Sequence, residues 1–338
     1  MELTILGAGI FGLSIAWEAA QKGVKTRVID PNGIGAGASG GLVGALAPHA
    51  PETWNEAKAA QLAALLQAQD WWDAVEAAAG VKSGYGRTGR VQPVMDERGL
   101  QLAAERAENA KTLWQGRAYW QLRPADRATD PVSPTGMVVE DTLTARISPR
   151  LGLAALAKAI RAKGGQIVTE GPQEGIVIHA YGAAGLRDLT ATLGRDIGRG
   201  EKGQALSLAF DMADAPQIYA PGLHIVPHID GTVAIGSTSE RHYEDAKSTD
   251  EQLDVLYQKA LEAFPALASA PILERWAGER PRAVTRKLVL GAYPEREGHF
   301  VANGGFKTGF AMAPLAARII LDLALDGRDT IPETMRLA

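Results

Sequence analysis

Cysteine is absent from the 338-residue sequence. Its absence excludes disulfide bonds, thiolate metal sites, redox dithiols and a cysteinyl link to a cofactor. Because disulfides belong mainly to oxidising compartments, a chain without cysteine fits the cytoplasm best. We therefore expect a cytoplasmic protein.

Long apolar runs and runs of positive charge are also missing. No apolar stretch reaches the roughly 18 residues that a membrane span requires, so we expect no membrane partner. The apolar run at residues 3–6 is too short for a signal peptide, and no basic region precedes it. A formal net charge of −4, with no run of lysine or arginine, argues against nucleic acid as the main partner. Whether the chain forms a homo-oligomer is left open.

The composition is otherwise ordinary, with 46% hydrophobic and 22% charged residues. A chain of this length exceeds one comfortable core, so two interlocked domains are expected. A hairpin turn is expected at Asp230 and Gly231. The residue pattern predicts helices over 55–79, 97–114, 149–163, 250–263 and 309–325, and strands over 90–95, 166–169, 175–179, 204–210, 217–220, 223–228, 232–236, 272–279 and 299–303.

Three glycines near the N-terminus carry the strongest functional signal. Gly7, Gly9 and Gly12 form G-x-G-x-x-G between an apolar run and an amphipathic run, and the next apolar run ends on Asp30. This strand–turn–helix–strand–acid layout is typical of a dinucleotide site. There Gly7 permits the tight turn, Gly9 admits a pyrophosphate and Gly12 lets the helix approach the strand. The helix N-terminus would bind phosphates, and Asp30 would accept hydrogen bonds from a ribose.

The segment at residues 31–51 is rich in glycine and alanine. So many small residues indicate backbone pressed against a flat ligand or another backbone. A flexible linker, the alternative, would carry more polar residues and fewer Leu and Val. The predicted order is βαβ, helices, further βα elements, an antiparallel block and a final βα. A nucleotide-binding domain interrupted in this way favours FAD, because NAD dehydrogenases usually keep their nucleotide half contiguous.

Seven short motifs carry a family resemblance. They are Gly7 to Gly12 with Asp30; Gly-Ala-Ser-Gly-Gly-Leu-Val-Gly-Ala at 37–45; Val-Ile-His-Ala-Tyr-Gly-Ala at 177–183; Lys-Gly-Gln at 202–204; His-Ile-Val-Pro at 224–227 with Gly231 and Gly-Ser-Thr at 236–238; Trp-Ala-Gly-Glu-Arg-Pro at 276–281; and Asn-Gly-Gly-Phe-Lys-Thr-Gly at 303–309 with Ala313 and Pro314. Over nearly its whole length the chain thereby resembles the D-amino-acid oxidase-like FAD-dependent oxidoreductases, in particular the glycine oxidase and sarcosine oxidase group.

The resemblance implies an α/β fold. A Rossmann-like FAD-binding domain of the glutathione-reductase type would be interrupted by an α+β substrate domain with an antiparallel sheet. The FAD-binding domain would comprise residues 1–80, 140–200 and 281–338, and the substrate domain residues 81–139 and 201–280. FAD is expected to bind without a covalent link. The residues expected to contact it are Gly7, Gly9, Ile10, Phe11, Gly12, Asp30, Pro31, Ala38, Ser39, Gly40, Val43, Gly44, Ala45, Ala180, Gly182, Gly305, Phe306, Lys307, Thr308 and Gly309.

The resemblance also implies four substrate-side residues. Arg280 matches the arginine that pairs with the substrate carboxylate, and a guanidinium offers a planar fork for that contact. His224 stands where glycine oxidase has a substrate-contacting tyrosine, and Lys307 where it has a second arginine. His49 follows the flavin-side loop and would face the flavin. Each residue also has an alternative interpretation. Arg280 could form an ion pair within the sheet, and His224 could be a structural histidine of a strand. Lys307 could be a solvated lysine, and His49 an exposed loop histidine.

The function implied is oxidation of an amino acid or related primary or secondary amine to an imine. The hydride would pass to flavin N5, the imine would hydrolyse to an oxo-acid, and oxygen or another acceptor would reoxidise the flavin. The alternatives are an amine dehydrogenase, a flavin domain acting on a modified biomolecule such as tRNA, and a non-catalytic electron-transfer subunit. The segment at residues 37–41 also satisfies the G-x-S-x-G pattern of hydrolases but lacks a preceding strand. No metal site is expected, because Pro227 and the predicted strand prevent His224 and His228, which are four residues apart, from forming a helical metal-binding pair.

Overall fold

The structure is a computed structural model, which describes residues 2–337. Its helices are α1 (Ile10–Gln21), α2 (Glu56–Ala79), α3 (Glu97–Leu113), α4 (Pro149–Ala162), α5 (Gly182–Leu193), α6 (Glu251–Ala263) and α7 (Gly309–Asp326). Its strands are β1 (Glu2–Leu6), β2 (Lys25–Ile29), β3 (Ala45–Leu46), β4 (Arg90–Pro93), β5 (Trp120–Pro124), β6 (Met137–Asp141), β7 (Ala145–Arg146), β8 (Gln166–Val168), β9 (Ile176–His179), β10 (Gly198–Ala209), β11 (Gln217–Ala220), β12 (Leu223–Pro227), β13 (Thr232–Gly236), β14 (Ile272–Ala283), β15 (Val289–Ala292) and β16 (His299–Asn303).

The first sheet has the strand order β15-β16-β9-β1-β2-β8. Adjacent strands from β16 to β8 pair in parallel, and β15 pairs antiparallel with β16 at one edge of the sheet. The central strands are apolar because helices cover the sheet, and α1 packs against α4 and α7 beside it. Parallel strands end at one edge of a sheet, so the turns after β1, β2 and β9 lie together.

The second sheet has the order β14-β10-β13-β12-β11-β4-β6-β5. Its pairs are antiparallel except β11 with β4. The side chains alternate between its faces with a period of two. One face carries Leu206, Ile225 and Ile235, which form a buried cluster with Leu253 and Leu256 of α6. The opposite face carries the small residues Ala205, Ala234 and Gly236, and this face is turned toward the ligand-sized cavity described below.

The α/β fold class is confirmed, and all the predicted helices and strands are present. The hairpin at Asp230 and Gly231 joins β12 to β13, with Asp230 accepting a hydrogen bond from the Thr232 amide. Helix α4 begins at the predicted Ser148-Pro149, but the Ser148 hydroxyl lies 3.2 Å from His228 Nδ1 and does not cap the helix. The predicted domain boundaries stay a prediction.

Six helices and strands were not predicted, namely α5, β3, β5, β6, β7 and β15, and β10 and β14 extend beyond the predicted ranges. Helix α5 begins Gly-Ala-Ala-Gly, which reads locally as a turn because glycine is a poor helix former. Leu186 and Leu189 nevertheless bury against Val289 and Val301. Tertiary packing, which local propensity does not contain, therefore decides this helix.

The buried histidine at the end of β9 predicts a pH-dependent stability. His179 Nε2 lies 3.0 Å from His299 Nδ1, and burial, then His299 and Arg296, lower the pKa of His179 from 6.5 to about 4. The unfolded chain therefore takes up this proton first as the pH falls. This titration leaves the free energy of unfolding unchanged above pH 6.5 and lowers it progressively as the pH falls toward 4.

We expect the free energy of unfolding of His179→Phe to depend less on pH than that of the unsubstituted chain. The difference between the two chains should change by up to about 3 kcal/mol between pH 6.5 and 4. Urea unfolding at a series of pH values measures it. Parallel pH dependences in the two chains would contradict this assignment.

Candidate active site

A cavity of about 1260 Å³ lies at the carboxyl ends of the parallel strands. Its lining comes from the turns after β1, β2 and β9, from residues 36–49, from the second sheet and from the loop at 303–310. The volume exceeds the roughly 300–1,000 Å³ typical of small-molecule pockets. The cavity is therefore large enough for an extended cofactor and a substrate together.

The G-x-G-x-x-G turn is shaped by contacts that only glycine permits. Gly7 has φ +108°, and a Cβ there would lie 2.6 Å from the Ala180 carbonyl oxygen. A Cβ on Gly12 would lie 1.8 Å from the Gly7 oxygen, so Gly12 allows α1 to start directly against β1. Asp30 ties the second strand to this turn, since its Oδ2 accepts a hydrogen bond of 2.8 Å from the Ala8 amide.

The small-residue segment at 36–45 lies over the N-terminus of α1. Ser39 Oγ accepts a hydrogen bond of 3.0 Å from the Ile10 amide, and a Cβ on Gly9 would lie 3.1 Å from the same hydroxyl. Ser39 stands in a single 3-10 turn after a loop, not after a strand. The G-x-S-x-G pattern therefore does not form the strand-to-helix elbow of a hydrolase.

The second sheet presents a regular row of side chains to the cavity. His224 lies in this row, and Tyr219 stands directly opposite it in the register. Arg280, by contrast, lies four residues beyond Trp276 along β14, opposite Glu201. The register also places Gly236 beside His224 and Ala205 beside Gly236. These small residues lie between His224 at one side of the row and Trp276 at the other, and they leave room for a ligand.

Arg280 is held firmly by the protein. Its Nη1 donates to Ser237 Oγ at 2.5 Å, and its Nη2 donates to the carbonyl oxygens of Thr238 at 2.6 Å and Lys202 at 3.2 Å. Nε is buried without a partner within residues 2–337. Part of the planar fork is thus engaged by the protein, and Nη1 keeps a second N–H for a ligand.

Three cations surround the ring of Phe306 in the loop before α7. The charged centres of Arg280, Lys307 and Arg282 lie 5.5, 5.6 and 5.7 Å from the ring centroid. Glu201 pairs with Arg282 at 3.2 Å, and Arg280 and Lys307 form no salt bridge in the part of the chain that the structure describes. This end of the cavity therefore has an excess of positive charge that favours an anionic ligand.

Burial changes the pKa values of Arg280 and Lys307 at this end of the cavity. It lowers the pKa of Arg280, an effect that Glu201 and Glu240 oppose. Burial is also the largest cause of the lowered pKa of Lys307, followed by the charge of Arg280. An anion bound between them would relieve that repulsion.

His224 forms the opposite wall with Tyr219, whose ring centroid lies 4.7 Å away. Burial, followed by the charges of Arg90 and Lys307, lowers the pKa of His224 to about 3. The imidazole is therefore neutral across the physiological range. Arg90 lies behind Tyr219 at 5.7 Å and forms a buried ion pair of 2.8 Å with Asp141.

His49 also lines the cavity, beside the buried Gln61 of α2. Its Nδ1 lies 2.5 Å from Gln61 Oε1, and its amide donates to the same oxygen at 2.8 Å. Burial is the largest cause of a lowered pKa for His49. Both cavity histidines, His49 and His224, therefore have a pKa below the ordinary value of the imidazole.

Most of the predicted site residues line this one cavity. They are Gly7, Gly9, Ile10, Phe11, Asp30, Pro31, Ala38, Ser39, Val43, Gly44, Ala45, His49, Ala180, Gly182, His224, Arg280, Gly305, Phe306, Lys307, Thr308 and Gly309. Gly12 and Gly40 do not line it. Each lies behind the lining, where a Cβ would meet a backbone oxygen, that of Gly7 at 1.8 Å and that of Gly35 at 2.1 Å.

The sequence interpretation missed several lining residues, among them Tyr219, Gln61, Tyr181 and Ser237. Tyr219 could have been found, because the predicted strands 217–220 and 223–228 leave a two-residue turn that pairs Tyr219 with His224. Tyr181 and Ser237 stand inside the motifs at 177–183 and 236–238 but were given no role there. No local pattern marks Gln61.

No cluster of three or more metal-ligating side chains occurs among residues 2–337. Over the same range, none of the helices is both long and apolar enough to cross a bilayer.

The fold and the cavity define a dinucleotide-binding α/β protein. The family model described as FAD dependent oxidoreductase matches residues 2–323. This match covers most of the chain, and the protein therefore belongs to the D-amino-acid oxidase-like family of FAD-dependent oxidoreductases, as its motifs predict.

Individual relatives agree with the family assignment. The glycine oxidase of Bacillus licheniformis is 23% identical over 351 residues, which cover 96% of this chain and 93% of the relative. The bifunctional protein ThiO/ThiG of Trichormus variabilis is 26% identical over 354 residues, which cover 96% of this chain and 53% of that protein. The chain thus spans about half the length of the bifunctional relatives that it matches.

Solved structures share the fold. Glycine oxidase from Geobacillus kaustophilus superposes with a TM-score of 0.85 at 20% identity, covering 99% of this chain and 98% of the other. Iminodiacetate oxidase from a Chelativorans species gives a TM-score of 0.85 at 21% identity, covering 98% and 97%. At these identities the likeness concerns the fold alone.

Proposed function

We propose that the protein oxidises an amino acid or a related carboxylated primary or secondary amine to the imine, with non-covalently bound FAD as the oxidant. The observation that carries the proposal is the half-buried Arg280, which lines the cavity and has no salt-bridge partner among the described residues. A half-buried guanidinium without a salt-bridge partner is suited to a ligand carboxylate. Hydrolysis of the imine in water would then yield an oxo-acid and an amine or ammonia.

The residues of the cavity fit a dinucleotide cofactor. Gly7 and Gly9 leave bare backbone at the start of α1, where helix N–H groups favour a pyrophosphate. Asp30 borders the cavity at the end of β2, where a ribose would lie. Gly305, Thr308 and the start of α7 would hold the far end of the cofactor, because the positive N-terminal end of α7 borders the cavity. When bound, FAD would supply the two-electron acceptor that no side chain provides.

The side chains would bind and orient the substrate. Arg280 would hold the carboxylate through Nη1, and Lys307 adds a second positive charge beside it. Such positioning is the main contribution of the protein when a cofactor carries the chemistry. Because burial and neighbouring cations lower the pKa of His224 to about 3, this residue is a hydrogen-bonding group and not a base at neutral pH.

The visible spectrum of the purified protein tests the proposal. We expect the absorption bands of oxidised flavin. Acid or heat should release the cofactor as free FAD. Anaerobic addition of glycine, sarcosine, D-amino acids or larger secondary amines should bleach the bands, with carboxylated amines bleaching faster than the same amines without a carboxyl group.

A colourless protein that takes up no FAD would refute the proposal. A yellow protein that no amine bleaches would favour the non-catalytic electron-transfer alternative. Oxygen consumption with the best amine distinguishes an oxidase from a dehydrogenase that uses another acceptor.

A further inference from the structure

The side-chain amide of Gln217, next to His224, has a defined orientation. Gln217 of β11 is completely buried, and its Nε2 donates to the Ala145 carbonyl oxygen at 2.9 Å. Its Oε1 lies 3.2 Å from Nδ1 of His224. Gln217 thus lies between a backbone acceptor and the imidazole.

These contacts determine the tautomer of His224. A carbonyl oxygen can only accept, so the amide nitrogen of Gln217 must face Ala145 and the amide oxygen must face His224. The amide oxygen also only accepts, and Nδ1 must therefore carry the proton. In a neutral imidazole the other nitrogen, Nε2, is then a hydrogen-bond acceptor.

The surroundings of His224 keep the imidazole neutral. The charged groups that face it are Arg90, which lies behind Tyr219, and Lys307 across the cavity, and both disfavour a second positive charge. The phenol ring of Tyr219 packs against the imidazole. His224 is therefore an acceptor that borders the same cavity as the donors Arg280 and Lys307.

We propose that Gln217 is a positioning residue that holds His224 as the Nδ1–H tautomer, so that Nε2 accepts a hydrogen bond from the N–H of the substrate amine. The pair selects primary and secondary amines, because a neutral tertiary amine has no N–H to donate. This inference rests on the proposed amine oxidation for its substrate, whereas the tautomer itself does not depend on it.

The first test is nitrogen-15 NMR of the histidine rings in the FAD-loaded protein. We expect His224 to show a protonated Nδ1 and an unprotonated Nε2 from pH 5 to 9, and Gln217→Leu to lose this pattern. His49 is the internal reference, because Gln61→Leu should alter the His49 signals and leave those of His224 in place. An Nε2–H tautomer of His224 in the unsubstituted protein would overturn the proposal, whatever the enzyme oxidises.

The second test is kinetic. Gln217→Leu should lower kcat/KM about tenfold for a secondary amine and reduce its preference over the matching tertiary amine. Gln217→Glu loses the bond to Ala145 but still accepts from Nδ1, so it should restore the tautomer. Its negative charge should also raise the pKa of His224 and add an ionisation to the pH profile of kcat/KM.

A double-mutant cycle separates positioning from a structural role. If Gln217 acts through His224, the double variant Gln217→Leu/His224→Gln should be no slower than His224→Gln alone. Losses that simply add would contradict the proposal. If no amine is oxidised at all, the proposed function fails, while the NMR result still decides the tautomer.

Discussion

Replacing Arg280 by Ala should lower kcat/KM for a carboxylated amine about a hundredfold to a thousandfold. This corresponds to about 3 to 4 kcal/mol of lost transition-state binding, the range found when one partner of a buried charge pair is removed. FAD should remain bound, since Arg280 lies on β14 of the second sheet and the glycine turn on the first. Steady-state kinetics together with the flavin spectrum measure both effects.

Two further variants make this result interpretable. Arg280→Lys retains the positive charge but cannot reproduce the bonds to Ser237 and Thr238, so we expect an intermediate loss. An amine without a carboxyl group should be oxidised equally slowly by the unsubstituted enzyme and by Arg280→Ala. Unchanged kinetics of Arg280→Ala on a carboxylated amine would remove Arg280 from the substrate site.

Replacing Gly12 by Ala should abolish FAD retention and lower the free energy of unfolding by about 3 kcal/mol or more. The added Cβ would lie 1.8 Å from the Gly7 carbonyl oxygen and 3.3 Å from Ile5 Cγ2. A backbone oxygen cannot move aside as a flexible side chain can. Helix α1 must therefore shift away from β1, and the turn that begins at Gly7 shifts with it.

Gly171→Ala is the matched control for this substitution. Its Cβ would meet nothing closer than Arg27 Cδ at 3.5 Å, an ordinary van der Waals contact. We expect this variant to keep its flavin and its stability. Denaturant unfolding and FAD titration of the two variants give the comparison, and a Gly12→Ala protein that binds FAD normally would contradict the role assigned to this glycine.

Local patterns were sufficient for much of the molecule. Gly7, Gly9 and Gly12 with Asp30 predicted the βαβ unit, because the turn needs residues without side chains at defined positions. The hairpin at Asp230 and Gly231 was likewise encoded by neighbouring residues. Helix α5 was missed, because its first turn has weak helical propensity and its stability comes from contacts with distant strands.

The candidate site likewise has features that local sequence patterns predict and features that only the tertiary structure reveals. Motif context alone pointed to Arg280, His224, Lys307 and His49, and all four side chains line the cavity. The hydrogen bonds that orient three of them come from other strands, helices or loops of the structure. Ser237 binds Arg280, and Gln61 and Gln217 face the two histidines.

By itself, the sequence determined the α/β class, the dinucleotide turn and the family, since each depends on residue types at short, fixed spacings. Only the tertiary structure decided which nitrogen of His224 carries its proton and that Arg280 and Lys307 share one positively charged end of the cavity. Those properties depend on burial and on contacts between strands and loops far apart in the chain. The local order of residues does not specify such contacts.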